Sequence, residues 1–252
     1  MNFLRPIIVF VGILAAWQAI VSGFSIAPFI LPGPLAVFDI AVERADTLAG
    51  HAMVTVSEIL LGLLFGTIMG TVSALVMAYF RSARAWVLPV LVVSQAVPVF
   101  ALAPVLVLWF GYGIVPKVAM ATLIIYFPVT AAFYDGLRRT EPGWIDLART
   151  MGASKAAILR KIRIPAALPA FASGLRVAAA VAPIGAVVGE WVGSSAGLGY
   201  YMLLMNGRVQ TDVMFAALLV LALLAVAIYF IIDAALRRLV SWQADMDPAS
   251  HN

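Results

Sequence analysis

The feature that most constrains this chain is a series of apolar runs, each about as long as a membrane-spanning helix. A helix needs about 20 consecutive apolar residues to cross the hydrocarbon core of a bilayer. The six runs occupy approximately residues 6–21, 55–80, 86–110, 115–134, 170–191 and 213–235. With 64% hydrophobic and 11% charged residues, a soluble domain of this size would have too little interior to bury them. The sequence therefore predicts an all-α membrane protein with about six transmembrane helices, forming a single domain over residues 1–252.

Prolines and polar residues modify this pattern at two places. Pro89, Pro98 and Pro104 lie inside the third run, which we expect to be kinked or unwound. The Pro-rich segment 26–51 interrupts the apolar pattern, and residues 35–48 within it predict a short helix at the membrane surface. The first run has no A-x-A-like cleavage site after it, so we interpret it as a membrane helix rather than a cleaved signal peptide.

The distribution of Lys and Arg predicts the orientation. If the N-terminus is cytoplasmic, thirteen of the sixteen Lys and Arg residues fall on the cytoplasmic side of the six spans. Only Arg44, Lys117 and Arg208 fall on the other side. Cytoplasmic loops of membrane proteins carry such an excess of positive charge. We therefore predict that both termini and the polar segment 140–169 are cytoplasmic.

Segment 140–169 predicts two short helices joined at a glycine. Thr140 is a candidate cap for the first helix, and its apolar stripe is formed by Trp144, Leu147, Ala148 and Met151. Gly152 stands where a left-handed residue would end this helix. Ser154 is a candidate cap for the second helix, and Pro165 is expected to stop it. The segment could lie on anionic lipid, form a nucleic-acid-binding helix-turn-helix, or dock a soluble partner. Its tight tethering and lack of a third helix disfavour nucleic acid.

Small residues recur in the second and fifth spans. The second span carries Glu58 followed at every fourth residue by the small residues Gly62, Gly66, Gly70, Ala74 and Ala78. Such a ridge allows a neighbouring helix to approach closely, and we favour packing within the chain over a dimer seam. The fifth span is also rich in alanine and glycine, which suits either close packing or the wall of a translocation path.

The sequence offers little catalytic or metal-binding chemistry. It lacks a G-x-x-x-x-G-K-[ST] motif and cysteine, and its two histidines are His51 and His251. We therefore predict no catalytic or metal site and no cofactor in this chain. Charged groups within membrane helices are costly and often functional. Glu190 with Trp191, and Glu58, are therefore candidates for a path or gate, although each glutamate lies near a span end where it could instead reach interfacial water.

One pattern in the polar segment resembles a known family. Asp146-Leu147-Ala148 is followed after three residues by Gly152, after nine more by Ile162, and after one more by Ile164-Pro165. This spacing resembles the EAA loop of membrane subunits of bacterial binding-protein-dependent ABC importers, with Asp146, Leu147 and Ile164 as mild departures. Segments 98–113 and 189–200 are similar to the branch for sulfonates, taurine, nitrate and thiamine precursors. Residues 135–140 and 142–144 most resemble the permeases for hydroxymethylpyrimidine.

The resemblance implies a type I ABC importer permease with a cytoplasmic coupling-helix loop. Two copies would form the path across a bacterial inner membrane, and a periplasmic or lipid-anchored solute-binding protein would deliver hydroxymethylpyrimidine or, alternatively, a sulfonate, taurine or nitrate. ATP and Mg would bind to separate ABC ATPase subunits. The implied ATPase-docking residues are Trp144, Asp146, Leu147, Ala148, Met151, Gly152, Ile162, Ile164 and Pro165. A secondary transporter and a membrane anchor or assembly factor are the alternative classes.

Overall fold

The computed structural model describes residues 4–242, and this part of the chain forms eleven α-helices and one π-helical turn. His251 and the C-terminus lie outside the described residues. In chain order the helices are α1 Leu4–Gly23, α2 Pro34–Glu43, α3 Ala45–Tyr79, α4 Arg81–Ala96, α5 Val99–Phe110, α6 Ile114–Arg138, α7 Pro142–Thr150, α8 Lys155–Ile158, the π-helical turn Leu159–Arg163, α9 Ile164–Trp191, α10 Leu198–Gly207 and α11 Thr211–Leu239.

Four helical stretches are long and apolar enough to cross a membrane. They are α3, α6, the stretch Lys155–Trp191 that includes α8 and α9, and α11. The shorter apolar helices include part of α1, part of α4 and all of α5. The predicted third span is divided between α4 and α5 at Pro98, as its prolines indicated. Val97 is extended, the conformation that a following proline favours.

One prediction on the chain between the spans was wrong. The surface helix is α2, which ends at Glu43, whereas the residues from Ala45 onward belong to α3. At about 1.5 Å per residue, a 35-residue α3 is longer than a bilayer core of about 30 Å, so its first turns can be polar. Residues 193–208, which connect the fifth and sixth predicted spans, contain α10. This helix is too short to stand out as a span.

The small-residue ridge of α3 packs against α6, which confirms packing within the chain. Gly62 faces Ala121, and Gly66 faces Ile125. A Cβ atom at Gly66 would lie 2.6 Å from the Ile125 side chain, so only glycine permits this separation of the two helices. Without a hydrophobic effect between helices in lipid, such close van der Waals packing is a main source of association.

The small residues of α9 serve the same purpose on another side of α6. A Cβ atom at Gly174 would lie 2.6 Å from the backbone oxygen of Pro128, and one at Gly185 would lie 2.6 Å from Cα of Ala121. Of the two interpretations of the fifth span, these contacts support close packing. Helices α3, α6 and α9 thus form the core of the described fold, with α6 in the centre.

Replacing Gly66 with leucine is expected to prevent α3 from packing on α6. Inserting a side chain into a filled contact costs about 1–3 kcal/mol or more, and Ile125 leaves no space here. Size-exclusion chromatography after detergent extraction should show loss of the monodisperse protein. Gly50→Leu is the matched control because Gly50 lies on the same helix, and a Cβ atom added there would have no neighbouring atom within 4 Å. Equal behaviour of the two variants would contradict the packing role of Gly66.

Candidate functional site: a docking loop and a buried charge cluster

The functional candidates lie at two opposite ends of the helical core. We call the end that contains Tyr79, Leu137 and Lys155 the loop end, because segment 140–169 lies there. The opposite end contains Lys117, Glu190 and Ser194. Each end has one structural feature of interest. At the loop end it is segment 140–169, which we call the docking loop, and at the opposite end it is a cluster of buried charged residues.

The hinge of the docking loop is formed as the sequence predicted. Gly152 has a φ of +76°, and its N–H donates to the Arg149 carbonyl at 2.9 Å. The N–H of Ala153 donates to the Ala148 carbonyl, also at 2.9 Å. This pair of hydrogen bonds is a Schellman motif, which satisfies the last carbonyls of a helix and requires a left-handed residue after it. It fixes the direction in which the chain leaves α7.

The structure confirms one predicted cap of the docking loop and corrects the other. The Ser154 hydroxyl accepts a hydrogen bond from the N–H of Ala157 at 3.2 Å and caps α8. Thr140 does not cap α7, whose N-cap residue is Glu141 without a side-chain hydrogen bond. The buried Thr140 hydroxyl instead donates to the Leu137 carbonyl at the end of α6.

Pro165 does not stop the second helix, contrary to the prediction. Residues Leu159–Arg163 form a π-helical turn that joins α8 to α9, and the N–H of Ile164 donates to the carbonyl of Leu159. Proline lacks an N–H and its ring clashes with the carbonyl four residues earlier in an α-helix. Pro165 lies just after the π-helical turn, and the altered hydrogen-bond spacing of this turn lets the helix continue past a residue that has no N–H. The docking loop therefore continues into the membrane span without a break.

An apolar face of α7 is exposed at the loop end. Trp144 is 53% exposed and Met151 78% exposed, with Leu147 between them, whereas Ala148 is buried. These residues line a groove of about 500 Å³ together with Ile162 and Pro165 of the docking loop and Trp242. Asp146 is also exposed and pairs with Arg149 at 3.0 Å. Six of the nine predicted docking residues thus line this groove, whereas Asp146 and Gly152 do not line it and Ile164 packs against the helical core.

Two cations bind the docking loop to the ends of the spans. Arg163 donates to the Leu137 carbonyl from Nε at 3.0 Å and from Nη2 at 2.7 Å. The Lys155 ammonium donates to the Tyr79 carbonyl. These carbonyls lie in the last turns of α6 and α3, where they lack helical partners. From the sequence, Arg163 and Lys155 were predicted only to be cytoplasmic cations. Their specific role depends on contacts far apart in the chain.

At the opposite end, Glu58 is buried instead of reaching interfacial water as one interpretation held. Its side chain is fully buried, and Oε1 lies 3.1 Å from Nζ of Lys117. Lys117 also donates to the Ser194 hydroxyl at 2.6 Å, in the turn before α10. The sequence had indicated Lys117 only as an outer cation. Two charges this deeply buried require each other, because neither has bulk water as an alternative partner.

Glu190 is buried next to this ion pair and fixes the start of α10. It is 1% exposed and accepts hydrogen bonds from the N–H groups of Gly199 and Tyr200 and, at 2.6 Å, from the Thr55 hydroxyl. Thr55 in turn accepts from the N–H of Leu198 at 2.8 Å. These are first-turn N–H groups, which lack helical partners and favour a negative charge. Glu190 thus holds α10 against α3, while the neighbouring Trp191 is half exposed.

The described residues contain no group of three or more His, Cys, Asp or Glu side chains that could hold a metal ion. The ion pair and the hydrogen bonds at the opposite end form one cluster that joins α3, α6, α9 and α10. His51 belongs to it as well, since its Nδ1 accepts from the N–H of Gly197 at 3.1 Å. The two acids of this cluster, Glu58 and Glu190, lie on α3 and α9. Because they are far apart in the chain, no spacing pattern in the sequence indicated that they belong to one cluster.

The family of the chain follows from comparison with known proteins. A family model described as "Binding-protein-dependent transport system inner membrane component" matches residues 62–243. The chain belongs to this family. It is thus the membrane permease subunit of an ABC importer, as the spacing in the docking loop indicated. This sets aside the secondary transporter and the membrane anchor.

Relatives in this family are named for several different substrates. A "Probable ABC transporter permease protein" of Haemophilus influenzae is 53% identical, over 95% of this chain and 98% of the relative. The formylaminopyrimidine transport permease protein of Halalkalibacterium halodurans is 36% identical, over 95% and 96%. The riboflavin transport system permease protein of Chloroflexus aurantiacus is 35% identical, over 92% and 87%. The taurine transport system permease protein of Escherichia coli is more distant, at 27% over 93% and 88%.

A solved structure of the MetNI methionine ABC transporter in an inward-facing conformation shares the fold. Its TM-score is 0.65 at 21% sequence identity, covering 78% of this chain and 97% of the compared chain. The architecture is therefore that of a type I ABC importer permease, as the sequence predicted. The permease is embedded in the membrane by several helices, and ATP hydrolysis in this family belongs to a separate subunit that works with it and with a binding protein.

Proposed function

We propose that this permease forms half of a homodimeric translocation path and that its docking loop transmits the movement of ABC ATPase subunits. The observation that carries the proposal is the exposed apolar face of Trp144, Leu147 and Met151. Exposed aromatic and large apolar side chains on one helix face are the usual anchors of a protein interface. In this proposal ATP and Mg bind to the ATPase subunits, and this chain holds no cofactor.

The connections of the docking loop support transmission. The loop continues through a π-helical turn into α9, so a movement of α7 acts directly on that span. Arg163 joins the loop to the end of α6, so α6 would move with it. Closure of the ATPases would then tilt α6 and α9 together. ATP and the loaded binding protein must both favour the outward-facing state, because a ligand shifts an equilibrium only through differential affinity.

The orientation in this proposal follows from the cations. The loop end faces the cytoplasm, with both termini on that side of a bacterial inner membrane, in agreement with the excess of Lys and Arg there. The opposite end then faces the solute-binding protein. Its exposed groups include Tyr112 and Arg208, which would meet the binding protein. Glu190 and Glu58 act there by positioning α10 beside the path, and Trp191 remains exposed next to them.

The docking face has a direct test. Trp144→Ala is expected to weaken retention of the ATPase subunit about 30-fold or more, because truncating a central aromatic anchor typically costs about 2 kcal/mol or more. Co-purification of the permease with its ATPase measures this retention. Trp86→Ala is the matched control, since Trp86 is 81% exposed but lies on α4 outside the docking loop. Unchanged retention in Trp144→Ala would contradict docking through this face.

We propose an aminopyrimidine precursor of thiamine, such as hydroxymethylpyrimidine, as the substrate. Support comes from the resemblance of residues 135–144 and from the formylaminopyrimidine permease at 36% identity. The riboflavin permease, at 35%, favours riboflavin as a second candidate. Taurine, other sulfonates and nitrate are weaker candidates, since the taurine permease is more distant.

The substrate proposal is tested with the complete transporter in proteoliposomes. ATP-dependent uptake of a labelled aminopyrimidine should exceed uptake of riboflavin, taurine and nitrate when the cognate binding protein is supplied. A thermal-shift screen of that binding protein against the same four compounds gives an independent measure. Preferential uptake of any of the other three compounds would overturn the aminopyrimidine assignment but leave the docking mechanism intact.

A further inference from the structure

A basic cavity lies behind α7 at the loop end. Its volume is about 370 Å³, and three cations line it: Arg149, Lys155 and Arg163. The rest of the wall includes Tyr79 and apolar residues such as Ile145 and Leu159. In the described part of the chain no carboxylate lines this cavity. It therefore combines concentrated positive charge with an apolar lining.

The cations in the wall are only partly compensated. Lys155 bonds the Tyr79 carbonyl and lies 4.6 Å from the centre of the Tyr79 ring. Arg163 bonds the carbonyls of Leu137 and Ala78. Helix-end carbonyls and aromatic faces carry only partial negative charge. Arg149 has a carboxylate partner, Asp146, but both side chains are about two-thirds exposed and the pair is weak. An anion entering the cavity would therefore meet positive charge that is only partly compensated.

The position of the cavity indicates where that anion comes from. It adjoins the end of α3 at Tyr79, next to the exposed Phe80. Aromatic residues at the end of a span typically lie at the level of the lipid headgroups. If the loop end is cytoplasmic, as proposed above, this is the leaflet with anionic lipid. A headgroup phosphate could reach the cations while its acyl chains stay beside α3.

We infer that this cavity binds the phosphate of an anionic phospholipid headgroup. The inference goes beyond the proposed function, because the ATPase docks on a different face of the same helix. At about 100° per residue, Ile145 and Arg149 lie roughly 150° around α7 from the face of Trp144 and Leu147. Lipid and ATPase would thus hold α7 from two sides. A bound headgroup would steady the docking helix against the ends of α3 and α6.

The test uses the complete permease–ATPase complex in nanodiscs that contain phosphatidylcholine with or without phosphatidylglycerol. Native mass spectrometry measures how much phosphatidylglycerol stays bound. Arg149→Gln is the first variant, because the pair of Arg149 with Asp146 is exposed and such pairs contribute little to stability. Arg149→Gln with Lys155→Gln is the second variant. We expect a loss of about fivefold in lipid retention for each cation removed. The matched control is Arg160→Gln, an exposed cation of the same loop that does not line the cavity.

The outcomes separate a lipid site from its alternatives. Equal losses in Arg160→Gln and Arg149→Gln would show general charge attraction and overturn the site. Displacement of phosphatidylglycerol by millimolar inorganic phosphate would assign the cavity to a free anion, and a cross-link from Lys155 to an ATPase carboxylate would assign it to the protein partner. Either result overturns the lipid inference. Trp144→Ala should lower ATPase retention but leave lipid retention unchanged, so failure of the proposed function is distinguishable.

Discussion

Lys117→Met is expected to destabilise the permease by about 3–5 kcal/mol. It leaves the carboxylate of Glu58 buried without the cation that lies 3.1 Å from it, and removing one partner of a buried ion pair typically costs this much. Thermal unfolding of the purified protein in detergent, followed by the loss of monodisperse material, measures the change.

A double variant distinguishes the effect of losing the positive charge of Lys117 from the effect of losing the rest of its side chain. Glu58→Gln with Lys117→Met removes both charges, so we expect it to recover most of the lost stability. Arg149→Met is the matched control, because its pair with Asp146 is exposed and such pairs contribute about 0–1 kcal/mol. If Lys117→Met were no less stable than Arg149→Met, the buried pair would have no structural importance.

The double variant also has an expected functional effect. Lys117 donates to Ser194 in the turn before α10, and methionine cannot replace that hydrogen bond. A stable double variant should therefore retain ATPase docking but transport more slowly, because α10 is less firmly positioned at the opposite end. Wild-type transport in the double variant would show that this contact does not affect the path.

Gly152→Val is expected to abolish productive ATPase docking while membrane insertion stays intact. Gly152 has a φ of +76°, and a β-branched residue strongly resists this conformation. A Cβ atom added at Gly152 would have no neighbouring atom within 4 Å, so the effect arises from the backbone and not from crowding. A penalty of about 1–2 kcal/mol or more corresponds to a loss of about fivefold to thirtyfold or more in the population of the observed α7 orientation. Co-purification of the ATPase and ATP-driven uptake measure it.

Gly152→Asn is the matched control for the hinge. Asparagine adopts positive φ more readily than other residues with a side chain, so this variant should retain much more ATPase than Gly152→Val. Circular dichroism of both variants should show the same helix content. If valine and asparagine gave equal retention, or if Gly152→Val transported normally, the left-handed hinge would not matter for coupling.

The sequence by itself determined the features that depend on local chemistry. Long apolar runs specify membrane helices whatever their neighbours are, because lipid replaces water around them. The left-handed requirement at Gly152 and the cap at Ser154 are also local, and the structure confirmed both. The spacing from Asp146 to Pro165 identified the family for the same reason.

Only the tertiary structure decided how separate helices share their polar groups. Lys117 pairs with Glu58 across two spans, and Glu190 reaches the first turn of α10. Neither contact leaves a periodic pattern in the sequence, since it depends on the register in which α3, α6 and α9 pack. Thr140 and Pro165 were predicted wrongly for a related reason. A hydroxyl can serve either of two adjacent helices, and a π-helical turn can carry a helix past a proline, so the choice is made by the packing around them.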